Sequence, residues 1–416
     1  MSQQEQARGL HTYAYKYNPA REGFPTFLFL HSFPSICEIW DKVADRLSRR
    51  GYGTLSPDLL GYGDSEKPED MREYSLRKMS SALVEMLVHH QLESVIGVGH
   101  GLGAALLTRL WWYKPQYLAG LAFMGAEYTL PTASNYDSII RKSQRYGMDI
   151  GGYWSFLISD EAPQLLNANL TKIPSTMSIF YSSDPVLWSD FLLSSGGLQD
   201  WLVHNRYSPS SVFSAQSGTD EHIKQSISTA FAQGHFGAPL NWHKSIRYQI
   251  DRESELSLPE NLWIINRPVL FLVGEHDAMG YPGIVLENCE ESNRAGYLPD
   301  VECTVVNNAS HWMMIEQPEL VVNALILLSR RVRINRARRI VQTASTVLQR
   351  IILYSPPLLL SAALCLFFFS TTTALKHATM AIPFSFPWTI SELCVGRVLR
   401  GCVGVRLWHL RGCLRE

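Results

Sequence analysis

The chain has 416 residues, 46% of them apolar, and a formal net charge of −1; this suits a folded protein with a sizeable core and excludes a disordered one. The near-zero charge hides an asymmetry: from Arg330 onward 13 Lys and Arg face 2 acidic residues, against 24 and 36 before it. An acidic body lacks the clustered cations that phosphate backbones require, so no nucleic acid is expected as a partner.

The first residues, MSQQEQARGLHTYAY, hold no apolar run of the secretory kind. Only Cys37, Cys289 and Cys303 fall in the body, without Cys/His spacings for zinc or a disulfide framework. A reducing, cytoplasmic body is the expectation, and the sequons at Asn169 and Asn308 carry no weight in it. TFLFLHSFP (Thr26 to Pro34) predicts a strand and a turn, and Trp40 to Arg50 an amphipathic helix. GYGTLSPDLLGYGDS adds a strand with a glycine-rich loop, and Arg77 to His90 a second helix. VIGVGHGLGAALLTRL (Val95 to Leu110) reads as a buried strand, a tight glycine turn and a helix. LAGLAFMGAEY (Leu118 to Tyr128), VLFLVGEHD (Val269 to Asp277) and VECTVVNNASH (Val301 to His311) predict three more strands ending in polar residues. Pro318 to Arg330 supplies a closing helix. The alternation implies an α/β fold with a mostly parallel sheet and helices on both faces.

Between Tyr128 and about Pro268 the rhythm stops, in a stretch rich in Tyr, Trp, Ser and Pro with helical pieces such as Asp184 to His204. That is too long for a bare loop, so a helical cap over the sheet is expected. Residues 1–128 and 268–335 then form the core, 129–267 the cap, and 336–416 a basic tail. Ile351 to Leu375 runs without a charge between Arg350 and Lys376, long enough to span a bilayer. Two readings of the tail stand: a membrane anchor, or an extension without a selected role.

HSFPSICEIW, DLLGYGDSEKP, GHGLG, GEHD and NASHW, in that order, resemble the α/β-hydrolase fold, and most of all its epoxide hydrolase and haloalkane dehalogenase branch, fungal proteins in particular. The resemblance spans about residues 10–330. It implies His311 as catalytic base and Asp277 as its orienting acid, with Glu127 as an alternative acid at the end of the preceding strand. It also implies an oxyanion or leaving-group site at the N–H groups of Phe33 and Leu102, with Ser32 in place of the usual glycine. APLNWHKSIRY puts His243 where the branch carries a proton-donating tyrosine, and Tyr181 in SIFYSSDP is a second candidate donor.

One position breaks the pattern. The branch attacks with an aspartate in GHDxG, and here that position is Gly101. Three readings follow. In the leading one, His311 acts directly on water, or on a substrate proton, in a hydrolase or lyase that forms no covalent intermediate. In the second, the protein is a catalytically inactive ligand-binding or partner pseudoenzyme. In the third, the glycine is a lesion or a sequence error. The expected substrate is a small apolar molecule, in a fungal setting a secondary metabolite such as a polyketide-like epoxide or ester. No metal or cofactor is expected, since GHGLG lacks the GxGxxG spacing of a dinucleotide site.

Overall fold

The apolar runs assemble into a single eight-stranded sheet in the computed structural model, which describes residues 3–8, 11–131, 140–141, 144–147, 149, 151–168 and 174–354. In chain order the strands are β1 (Gln3–Arg8), β2 (Thr12–Asn18), β3 (Thr26–Leu30), β4 (Gly53–Pro57), β5 (Val95–His100), β6 (Leu118–Met124), β7 (Val269–Gly274) and β8 (Val301–Val306). Their order across the sheet is β1-β2-β4-β3-β5-β6-β7-β8. β1 and β2 pair antiparallel, as do β2 and β4, and every pairing from β4 to β8 is parallel. β3, β4, β5 and β7 are buried at every position, as central parallel strands covered on both faces must be. The antiparallel pair at the edge had no counterpart in the sequence reading. β1 is QQEQAR, a polar hexapeptide with no apolar alternation to mark it.

Helices α1 (Asp41–Arg49), α2 (Leu76–His89) and α3 (Leu102–Tyr113) connect the first strands. The chain leaves β3 to one side for β4, then returns to place β5 on the other side. The ends of β3 and β5 therefore open a crevice at the point where strand order reverses, the usual ligand position in such sheets. Leu30 pairs with Gly99 across β3 and β5, so continuing that register sets Ser32 beside Gly101.

Between β6 and β7 the regular elements among the described residues are all helices. They include α4 (Gly152–Leu157), α5 (Gly218–Gly234) and α6 (Gly237–Arg247), with short pieces at Pro174–Phe180 and Trp188–Leu193. Three strands are shorter than the apolar runs suggested. β6 stops at Met124 because Gly125 turns the chain at φ +56°, and β7 and β8 end at Gly274 and Val306, before their polar tails.

Helix α7 (Pro282–Arg294) precedes β8, and α8 (Pro318–Tyr354) runs well past the expected stop at Arg330. No Gly or Pro interrupts it until Pro356. The chain divides into two compact units, Met1–Ser329 and Arg330–Glu416. The sheet lies wholly in the first. Among the described residues no helix is long and apolar enough to cross a membrane. Most of the uncharged stretch 351–375, from 355 onward, lies outside the described residues.

Candidate active site

Helix α3 starts almost against the sheet, and glycines make that approach feasible. A Cβ on Gly103 would stand 2.2 Å from the carbonyl oxygen of Leu30, and one on Gly99 2.6 Å from Cα of Ala104. The turn between them is Gly101 at φ +50°, ψ −116°, a conformation that L side chains rarely adopt. The backbone thus keeps the sharp turn of a nucleophile elbow while presenting no side chain.

His311 lies in the loop after β8 and Asp277 in the turn after β7. His311 Nδ1 donates to Asp277 Oδ2 at 2.9 Å, with both side chains buried. The other Asp277 oxygen accepts the N–H groups of Met279 at 2.9 Å and Gly280 at 2.7 Å. That fixes the carboxylate and leaves the Nε2 lone pair of His311 as the basic atom. Nε2 lies 3.8 Å from the point where a Cβ on Gly101 would sit. Gly125 lets the pair fit, since a Cβ there would be 2.9 Å from the imidazole.

His100, the last residue of β5, holds the base from behind. Its Nε2 donates to the His311 carbonyl at 3.0 Å, and the two rings lie 4.4 Å apart. Burial keeps His100 neutral, far below the usual imidazole range, and the neighbouring His311 adds to this. Trp312 ties this loop to the helical layer by donating to the Phe180 carbonyl at 2.7 Å.

The space above is a cavity of about 120 Å³. Gly101, Leu102, Phe33 and His311 form its floor, and Tyr153, Trp154, Trp188 and His243 roof it. Of the residues singled out in the sequence, the fold gathers His311, Glu127, His243, Gly101, Phe33 and Leu102 on this one cavity, with Asp277 directly behind His311. Tyr181 is not among the residues that line it: its hydroxyl donates to the Pro34 carbonyl and its ring stacks on Trp312, 4.4 Å between centroids. Asp277, and not Glu127, bonds the imidazole. His243 packs edge-on against Phe33 and Trp154, 5.0 and 5.1 Å away, and burial lowers its pKa to about 3. It is a neutral imidazole, able to offer an N–H but carrying no positive charge near neutrality.

Two residues stand here that the sequence reading missed or undervalued. Tyr153 lines the cavity, accepts a hydrogen bond from Trp154 Nε1 at 2.6 Å, and is kept a neutral phenol by burial. Nothing but its place in an aromatic-rich stretch marks it in the sequence. The sequence marks Ser32 only as a replacement for the usual glycine. Its side chain is buried, its Oγ accepts the Leu102 N–H at 3.0 Å, and the same oxygen is 2.5 Å from the Cβ point of Gly101. The notch left by the glycine is thus occupied by a hydroxyl from the neighbouring strand end.

Among the described residues one cluster has metal-ligand character: Cys37, Glu38 and Asp58, whose ligand atoms lie within 4.8 Å of one another. None of them lines the cavity. Lys16 Nζ sits 2.9 Å from Glu38, and Asp58 accepts the N–H groups of Cys37 and Asp64. These bonds fill the cluster with the protein's own partners.

A reversing parallel sheet with a glycine-built elbow, and a His–Asp pair carried on two later strand ends, is the architecture of the α/β-hydrolases. The chain belongs to that family: the model described as alpha/beta hydrolase fold matches residues 25–318. Among characterised relatives it is similar to Epoxide hydrolase A of Mycobacterium tuberculosis, 23% identical, covering 73% of this chain and 90% of that protein. It is likewise similar to Epoxide hydrolase srdG of Neurospora crassa, 24% identical, over 74% of this chain and 88% of that one. Among solved structures, Epoxide Hydrolase A from Mycobacterium thermoresistibile shares the fold at a TM-score of 0.63 and 20% identity, covering 79% of this chain and 98% of that chain.

Proposed function

We propose that this protein is an epoxide hydrolase-like enzyme that adds water to a small apolar substrate without a covalent intermediate at the elbow. One observation carries the reading: the free nitrogen of an Asp-oriented imidazole faces the position of a missing nucleophile, 3.8 Å from its Cβ point. A water in the cavity, beside the Ser32 hydroxyl that fills the notch, gives a proton to His311 Nε2 as its oxygen bonds to a ring carbon. The C–O bond of the epoxide breaks, and the proton taken by His311 ends on that oxygen. Tyr153 stabilises the developing alkoxide. Its oxygen already accepts from Trp154, so its O–H is left to donate. The neutral His243 offers a second N–H from the same roof. The similarity to epoxide hydrolases of bacteria and of a fungus supports the substrate class, and the aromatic roof supports its apolar character. The division into a core of 1–128 and 268–335 and a cap of 129–267 fits this placement, with the cap supplying the roof.

A panel of aliphatic and aryl epoxides, assayed with the parent protein and with His311→Ala, tests the proposal. Diol formation that disappears with the imidazole is the expected result. Tight binding of those epoxides without turnover would refute the hydrolase reading and favour a ligand-binding pseudoenzyme.

A further inference from the structure

We propose that Ser32 is a nucleophile relocated from the elbow to the adjacent strand end, which gives this site a serine-dependent activity on carboxylic esters. The inference rests on the reading above in one respect, that His311 and Asp277 form a working base.

Three features of the structure meet at this hydroxyl. It lines the cavity, on the loop after β3, in the register that sets it beside Gly101. Its Oγ lies 2.5 Å from the Cβ point of Gly101, about the ~2.4 Å that separates a carboxylate oxygen from its own Cβ by ordinary bond lengths. The reacting atom is therefore as far from the elbow as an elbow aspartate would have placed it. His311 Nε2 is 3.8 Å from the same point, so oxygen and base stand across one notch. Because Oγ accepts from Leu102, its hydrogen is directed elsewhere, and rotation about the Cβ–Oγ bond can swing it toward the Nε2 side of the notch.

The two strand ends then exchange roles. In an ordinary elbow the residue after the nucleophile and the loop after β3 each supply one N–H to the oxyanion. With Ser32 attacking, Phe33 becomes the residue after the nucleophile and Leu102 the donor from the facing loop. The Leu102 N–H is released when Oγ turns toward the substrate, and it becomes available to the carbonyl oxygen.

The chemistry selects the substrate. Ser32 Oγ bonds to the acyl carbon while its proton passes to His311 Nε2 and the carbonyl electron pair moves onto oxygen. Collapse restores the C=O bond and expels the alkoxide, which takes the proton from His311. Water, deprotonated by the same nitrogen, then attacks the acyl-serine; Ser32 leaves and recovers its proton, and the carboxylic acid departs. With an epoxide the same attack would form an ether, which this site has no means to cleave. Ser32 is therefore productive only toward acyl substrates.

The test uses the full chain, a p-nitrophenyl butyrate assay and a fluorophosphonate probe, with adducts assigned by fragment mass spectra that separate Ser32 from Ser35. A phosphonyl adduct on Ser32 is expected in the parent protein, with labelling and ester turnover at least about 100-fold slower in His311→Ala. Ester turnover should vanish in Ser32→Ala and return in part in Ser32→Cys, whose thiol can also acylate. Absence of an adduct on Ser32 in the parent overturns the proposal whether or not the variants fold. So does ester turnover that survives Ser32→Ala; if His311→Ala still abolishes it, the base reading stands alone. Turnover that survives His311→Ala overturns both.

Discussion

In the proposed mechanism His311 and Asp277 have different jobs, and removing each should leave a different trace. His311→Ala deletes the atom that accepts the proton, and a fall of about 10²–10⁴-fold in kcat is expected. Asp277→Asn keeps the shape but can hold the imidazole in the wrong tautomer; a loss approaching ~10⁴-fold is expected with little change in stability. A variant of either kind with parental kcat would contradict the assignment. Gly101→Asp is a sharper probe, because the new side chain meets Ser32 Oγ at 2.5 Å from its first carbon. Alone it should be destabilised by roughly 1–3 kcal/mol, from strain at φ +50° and this clash. Combined with Ser32→Gly, it should form an alkyl ester on the introduced carboxylate when mixed with epoxide, trapped by an acid quench and read by intact mass. An ester formed equally well without the Ser32 change would mean the hydroxyl does not fill the notch. At this scale the sequence is informative where a motif marks a residue by itself, as GEHD and NASHW mark Asp277 and His311, which the fold joins by a hydrogen bond. It was silent where a role depends on what lies across the crevice. Ser32 and Tyr153 acquire their parts from neighbours 70 and one residues away, Leu102 and Trp154, and only the first of these relations needs the sheet to create it.

Elements position the site through close backbone approach. Helix α3 begins so near β3 that Gly103→Ala would push a methyl to 2.2 Å from the Leu30 carbonyl oxygen, an atom that cannot step aside. The helix must lift, at a cost of at least about 1–3 kcal/mol, visible as a lower urea midpoint. An unchanged midpoint would place α3 farther from the sheet than described. The same displacement moves the Leu102 N–H, so activity should fall as well. Most elements of the sheet were legible in advance because buried parallel strands announce themselves as apolar runs: TFLFL, VIGVGH and VLFLVG each became a strand. Strand ends were less legible. Gly125 terminates β6 by its positive φ, yet in sequence the glycine looks like a continuation of LAFMGAEY. The polar strand β1 was invisible for the opposite reason, being held by backbone pairing to β2 over six residues without an apolar face to betray it. The helical layer is expected from the length of the interruption and from helical pieces such as Asp184 to His204, and the roof residues it delivers cannot be ranked without knowing which face turns down.

For the whole molecule, burial of histidines makes stability depend on pH in a direction that can be worked out. His243 titrates at about 3 in the fold against an ordinary 6.5. Below pH 6.5 the unfolded chain binds a proton that the folded chain refuses, so stability falls as pH falls through this window. At pH 5 the loss from this residue is about 2 kcal/mol. His31, lowered to about 4, acts in the same direction. Asp58, raised by burial to about 6, acts oppositely: its contribution is present in acid and lost as pH rises from about 4 through 6. His243→Phe isolates one term from this mixture. Between pH 7 and pH 5 the variant should lose about 2 kcal/mol less than the parent in urea unfolding; parallel pH curves would show that His243 is protonated in the folded protein.

Direct attack by solvent, with no covalent stop at the elbow, is the central step of the proposed mechanism. A single turnover of an epoxide by excess enzyme in H₂¹⁸O measures it. The expected result is one ¹⁸O in the diol from the first turnover, with the protein mass unchanged. An unlabelled first diol, with ¹⁸O retained in a protein carboxylate such as Glu127, would show that a side chain attacks first and would contradict the account.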